Sequence, residues 1–213
     1  MATANKTSIT LKGSAQIVAE FFSYAVNSIL FQRGIYPQED FETQKKYGLA
    51  MLVNKDPKIR DYLKKIVTQV ENWLMRGDIQ QLVVVITGIE SKQVLERWVF
   101  DVQTDKSALE ANAAPREKSL KEIKGEIAGI IRQITASVTF LPFFEERCSF
   151  ELLVYTDQNA EVPLSWETSD PKLITNSQEV RLRSFSTKIH QVDTMVSYKV
   201  DEEEMTDENK PIN

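Results

Sequence analysis

The chain has few of the residues from which enzyme sites are usually built. It holds one cysteine, Cys148, and one histidine, His190. An intramolecular disulfide is excluded, and this pair cannot supply the three or four His/Cys ligands of an ordinary zinc site. Glycine is scarce, with seven in 213 residues. The nearest two, Gly125 and Gly129, stand four apart, so no GxGxxG loop exists. Neither GxxxxGK[ST] nor a GxSxG elbow occurs, and no pair of acids is singled out by spacing. Catalysis and a resident cofactor are therefore not expected; a hidden carboxylate site is the one enzymatic alternative. Long apolar runs are also missing. None exceeds five residues, as in Leu82 to Ile86 or Phe140 to Phe144, the latter with Pro142 inside. A membrane span needs about 20 such residues and a signal-peptide core about 7–15. The expectation is a cytosolic or nuclear protein with no membrane partner.

A basic surplus is lacking as well. The net charge is −5, and residues 201–213 contain six acids against the single base Lys210. The remainder is neutral, whereas nucleic-acid binders carry Lys/Arg surpluses to neutralise phosphates, so no nucleic acid is expected.

What is present reads as one α+β domain, 42% hydrophobic and 27% charged. Residues 1–8 are small and polar and read as disordered. Val18, Phe21, Phe22, Ala25, Val26, Ile29 and Leu30 recur at helical spacing before Gly34 and Pro37. Gly48 to Asn54 reads as a strand or buried connector. A second helix has Asp56 as cap, Pro57 in its first turn and a stripe from Ile59 to Leu74 before Gly77. Leu82–Ile86 and Val94–Val102 read as strands, the first apolar on both faces and so central in its sheet. Residues 103–118 read as a long mobile loop. Ser119 and Glu122 suggest a capping box opening a third helix with an isoleucine stripe. Cys148–Thr156 reads as a strand and 157–169 as a loop. Val192, Thr194, Val196, Tyr198 and Val200 alternate at period 2, as in a strand with one buried face. Residues 201–213 read as an acidic disordered tail.

Several long segments, in order, resemble the HORMA family, and within it the branch serving the spindle assembly checkpoint. They include Ile9–Phe22, Asn27–Pro37, Gln81–Ser91, Val94–Asp101, Ala114–Ser119, Ile130–Pro142, Ile174–His190 and Met195–Lys199. The resemblance covers residues 9–200. It implies three helices on a mainly antiparallel sheet, a core over 9–156 and a mobile C-terminal β "safety belt" over 157–200. It also implies a non-catalytic adaptor that switches between open and closed conformers and captures a partner peptide beneath the belt. Such an adaptor inhibits the anaphase-promoting complex through its activator. Other implied partners are a kinetochore-anchored coiled-coil receptor, a second copy of the chain, pseudokinase-containing checkpoint complexes, and an AAA+ remodelling ATPase with its HORMA adaptor. Nucleus, kinetochore, cytoplasm and spindle are the implied locations. A translesion-polymerase accessory subunit or a meiotic axis protein is the alternative within the family. Toward the ends, residues before Ile9 and after Tyr198 depart from the family pattern.

Residue roles follow from the same resemblance. The peptide-accepting edge is Ser149, Phe150, Glu151, Leu152, Leu153, Val154 and Tyr155, since an unpaired edge offers N–H and C=O groups to an added strand. Trp73, Trp166, Ile174, Leu182, Val196 and Tyr198 are expected in the belt or against the peptide, although Trp73 by pattern alone is core. Arg132, Gln133 and Phe140 are expected at a dimer surface; by pattern the first two are a solvated face and Phe140 is core. Thr194 and Ser184 are possible phosphorylation sites. Arg33, Glu96 and Arg183 are possible contacts for the remodeller's adaptor, with an incidental surface charge pair as the plainer reading of Arg33 and Glu96. His190 reads as a belt residue without a ligand role, and Cys148 as a buried thiol.

Overall fold

The computed structural model describes residues 7–200. The expectations for residues 1–6 and 201–213 lie outside the described residues. Around one helix, α1 (Leu11–Gln32), the other elements assemble: twelve of its residues are buried, more than one amphipathic stripe can supply. Thr10 caps it by accepting the Gly13 N–H at 3.1 Å, and Gly34 leaves it in the left-handed region at φ 62°. Thr7 and Ser8, expected to be disordered, belong instead to β1 (Thr7–Ile9).

After α1, the polar strand β2 (Phe41–Lys46) pairs antiparallel with β3 (Leu49–Asn54). Tyr47 and Gly48 join them, both at positive φ (54° and 74°), the geometry of a two-residue type I′ hairpin turn. In α2 (Pro57–Arg76) the expected signals hold: Asp56 Oδ1 accepts the Lys58 N–H at 2.8 Å, and Gly77 closes the helix at φ 71°. Next come β4 (Ile79–Gly88) and β5 (Val94–Thr104), which form a long antiparallel pair.

Residues 103–118 are tied down rather than mobile. After a short 3-10 turn (Lys106–Leu109), Arg116 pairs with Asp105 at 2.7 Å and donates to Ser107 Oγ. Strand β6 (Arg116–Lys118) then pairs with β1. The expected capping box does not form. Ser119 makes no side-chain cap to α3 (Leu120–Ala136), and Glu122 turns to Lys118 at 3.6 Å.

The main sheet is completed by β7 (Cys148–Thr156), β8 (Ser177–Arg181), β9 (Phe185–Ser186) and β10 (His190–Lys199). Its order is β7-β4-β5-β10-β8, all antiparallel, with β9 also on β10. Leu82, Val84 and Ile86 of β4 join the core beneath the helices, while Val83 and Val85 form a smaller cluster with Val99 on the opposite face. The two-faced apolar pattern of β4 thus places it inside the sheet, as expected. Strand β10 is also interior, so its opposite face is not simply wet: Ser197 is buried and Met195 packs on the smaller cluster. Among the described residues no helix is long and apolar enough to cross a membrane, and no cluster of three His, Cys, Asp or Glu could hold a metal.

Candidate functional site

Strand β7 pairs with β4 on one side and with no strand on the other among the described residues. Every second residue of such a strand turns its N–H and C=O outward, so this edge is a template for another strand. Its side chains serve two faces. Phe150, Leu152 and Val154 pack on the main core; Leu153 and Tyr155 join the smaller cluster. Tyr36 and Tyr62 approach Phe150 edge-on, at 6.1 and 5.9 Å between ring centres.

Beyond β7 the chain crosses this edge as residues 157–176 and then travels to the far side of the sheet. The near end of the crossing is tied to α2 and β4. Asp157 N donates to Asp78 O at 2.7 Å, Trp73 Nε1 donates to Glu161 O at 3.0 Å, and Arg76 pairs with the Glu161 carboxylate at 2.9 Å. Trp166 meets Trp73 in an edge contact at 4.9 Å. At the far end Tyr155 Oη donates to Pro171 O at 3.4 Å, and Lys172 reaches Glu151 at 3.8 Å. A cavity of about 360 Å³ remains between crossing and edge, lined by Trp73, Leu152, Val154 and Trp166 with Glu167 and Asp170 among its polar residues. Trp73 is 1% exposed, as the core reading expects, and it also lines this cavity beside β7.

The chain after the crossing is latched to the scaffold by polar groups. His190 is fully buried, with Nδ1 2.6 Å from Ser14 Oγ and Nε2 3.2 Å from Leu74 O. Burial draws its pKa down to about 4, partly offset by the Leu74 contact. Buried Lys118 bonds Glu126 and the Ser186 carbonyl, and Glu126 accepts the Ser186 N–H at 3.1 Å. Gln133 on α3 accepts the Arg183 N–H at 2.6 Å.

Several residues stand elsewhere than expected. Val196 and Tyr198 lie in β10, opposite Trp98 and Glu96 of β5, with β5 and β4 between them and β7. They lie on the far side of the sheet and do not reach the β7 edge. Leu182 is fixed on the same far side by its N–H to Thr194 O, whereas Ile174 lies in the crossing, half-buried. Arg33 and Glu96 do pair, at 2.6 Å, but their side chains are 5% and 1% exposed, so they are neither a surface pair nor open to a partner. Arg33 also donates to Pro142 O and stacks on Phe144; burial pushes the Glu96 carboxyl up against the pull of Arg33. Arg183 and Ser184 are exposed, while Thr194 is 3% exposed within the β10–β5 ladder. Arg132 is exposed, Gln133 half-buried, and Phe140 41% exposed, not core. Cys148 is half-buried, and burial raises its thiol to about 11. Sequence reasoning missed Glu161, Lys172 and Ser14, whose roles depend on long-range contacts; the Pro163 and Pro171 brackets were the available hint of a constrained crossing.

Residues 14–190 match the HORMA domain model. The chain belongs to the HORMA family. This HORMA domain is 58% identical over 199 residues to a Dictyostelium discoideum protein named mitotic spindle assembly checkpoint protein MAD2A, covering 93% of the chain and 97% of that protein. It also superposes on a chain from a crystal structure of the mitotic checkpoint complex with a TM-score of 0.79 and 47% identity, covering 88% and 99% of the two chains. C. elegans HTP-2, solved bound to a HIM-3 closure motif, gives a TM-score of 0.73 at 12% identity, covering 90% of this chain and 92% of that one, and so shares the fold.

Proposed function

We propose that this chain is a spindle assembly checkpoint adaptor that captures a partner peptide as an added strand on β7, beneath the crossing 157–176. The observation that carries the reading is the unpaired β7 edge roofed by a segment anchored at both ends, on a HORMA chain with 58% identity to a checkpoint protein. An edge strand supplies main-chain bonds, and the apolar wall of Trp73, Leu152, Val154 and Trp166 supplies side-chain selection. Capture then needs no covalent chemistry, in keeping with an adaptor rather than an enzyme.

In this reading the described structure corresponds to the closed position of the belt. The open position would place the same segment along β7, exchanging one set of strand contacts for another instead of ordering it afresh at about 1–2 kcal/mol per residue. The peptides come from the activator of the anaphase-promoting complex and from the kinetochore-anchored receptor, in the nucleus and at the kinetochore. Arg132 and Phe140 serve dimerisation with a second copy. A phosphate on Thr194 would be incompatible with the buried position described here, and would favour release of the belt.

The test is titration with synthetic peptides from those two partners, followed by amide spectra and dissociation kinetics. Slow release and shifts along β7 and 157–176 are expected. Absence of binding, or shifts confined to other surfaces, would overturn the reading; preferential capture of polymerase or meiotic axis peptides would move it to another HORMA branch.

A further inference from the structure

Along β7 the backbone groups point alternately toward β4 and away from it. Leu153, Glu151 and Ser149 lie opposite Val83, Val85 and Thr87, and just past the strand Ile89 N donates to Arg147 O at 2.9 Å. Opposite residues of an antiparallel pair alternate between exchanging hydrogen bonds and turning them outward. With Arg147 bonded on the β4 side, Ser149, Glu151 and Leu153 share that side by alternation. Cys148, Phe150, Leu152 and Val154 therefore present their N–H and C=O groups to the free edge.

One of these outward groups already has a partner. The Leu152 N–H is bonded to the hydroxyl of Tyr62, which projects from α2. Partial burial pushes that hydroxyl above its ordinary pKa of 10.0 against the pull of the Leu152 contact, so it stays protonated at neutral pH. Tyr62 is 39% exposed, and its ring meets Phe150 edge-on at 5.9 Å. The β7 residues lining the cavity beneath the crossing run from Leu152 to Thr156, so Tyr62 reaches the edge at the limit of that cavity. A strand laid here without Leu152 would keep only one or two outward partners within the roofed stretch. That is short against an ordinary strand of about 5–6 residues. A peptide that uses this edge as a ladder must take the Leu152 position.

We propose that Tyr62 is a positioning residue for peptide capture, its hydroxyl holding the Leu152 N–H while the edge is empty and yielding it to a carbonyl of the arriving peptide. The inference rests on the function proposed above. Because Tyr62 is 39% exposed, water can replace the bond its hydroxyl gives up. The backbone donor is satisfied before and after capture, as a donor on an apolar strand must be. Each capture then breaks one existing hydrogen bond on entry, whereas release of a seated peptide does not depend on it.

The experiment uses Tyr62→Phe, which keeps the ring against Phe150 and removes the hydroxyl. One neutral hydrogen bond is worth roughly 2- to 13-fold in an equilibrium. In the peptide-free chain, amide hydrogen exchange at Leu152 should quicken by about that factor, while exchange at Leu153, whose N–H faces β4, should not change. With the synthetic activator peptide, association should quicken by a similar factor and dissociation should stay as in the wild type. Unchanged Leu152 exchange, or association no faster than in the wild type, would overturn the inference while leaving capture on β7 intact. Failure of both proteins to bind the peptide at β7 would overturn the proposed function, and this inference with it.

Discussion

The sole histidine makes the belt latch testable at one atom. His190 joins the belt to two scaffold groups, Ser14 of α1 and the Leu74 carbonyl near the end of α2. With a neutral ring, Nε2–H donates to Leu74 O and Ser14 O–H donates to Nδ1, so the Thr187 O–H is shared between Ser14 Oγ, 2.5 Å away, and His190 O, 3.2 Å away. Burial favours the neutral ring, and no charged side chain bonds the imidazole. Docking consequently lowers the pKa from about 6.5 to about 4, with burial the main cause. A depressed histidine contributes stability that is complete above pH 6.5 and lost as pH falls through the folded value. The linkage amounts to about 2 kcal/mol lost at pH 5 relative to pH 8, rising to about 3 kcal/mol well below pH 4.

Carboxylates titrate over part of the same range, so the comparison is with His190→Gln, which keeps an amide and removes the ionisation. In the wild type the imidazole Hε1 resonance should titrate near 4 while the belt is docked, and the docked population should fall faster with acid than in the variant. A docked-state midpoint at or above 6 would refute the reasoning, as would equal acid sensitivity in both proteins between pH 4 and 6.5.

Trp166→Ala removes the edge contact with Trp73, worth about 0.5–1.5 kcal/mol beyond area burial, so bound peptide should dissociate roughly 2- to 13-fold faster by surface plasmon resonance. Arg33→Ala strands the buried Glu96 carboxyl and should destabilise the domain by about 3–5 kcal/mol in urea unfolding, whereas Arg132→Ala, at an exposed site, should change stability by less than about 0.5 kcal/mol. Gly77→Ala forces a side chain into φ 71°, with its Cβ 2.7 Å from Leu109 Cδ1; a thermal shift corresponding to about 1–2 kcal/mol is expected.

Where a signal is local, the sequence was readable. Asp56, Pro57 and Gly77 bound α2 as their chemistry dictates, and Cys148–Thr156 is the strand its apolar run suggests. The β2–β3 hairpin escaped notice because β2 reads FETQKK: its one deeply buried residue, Phe41, is at the end and the rest is polar. Residues 103–118 looked loose for want of aliphatic side chains, yet Arg116, Asp105 and Ser107 organise them through polar contacts that no hydropathy pattern records. Arg33 and Glu96 looked superficial because each is charged; they are 63 positions apart, and only the fold closes β5 and residues 142–144 around them. The alternation in β10 gave its buried face, but not its two neighbours, since the same period suits an interior or an edge strand.

If β7 accepts the peptide, as proposed above, the two ends of the main sheet give a reason why it does so and β8 does not. Strand β8 is SQEVR, short and polar, with Glu179 and Arg181 on an exposed strand. Charge and brevity are the ordinary protection of an edge against unwanted pairing. Strand β7 is CSFELLVYT, nine residues long and mostly apolar, and by those standards it is a liability. Its protection is the crossing 157–176, held by Trp73 to Glu161 at one end and Tyr155 to Pro171 at the other. A roof can be lifted and relaid, whereas a charged side chain on the strand would deter the wanted and unwanted partner alike. An apolar edge with a detachable cover therefore gains safety without losing the ability to pair. On the proposed function the cover would also govern exit: a peptide seated as a strand could not leave sideways until Glu161, Trp166 and Pro171 gave up their contacts. Loosening those three contacts should consequently speed release more than it slows capture, which separates a roof from a simple wall.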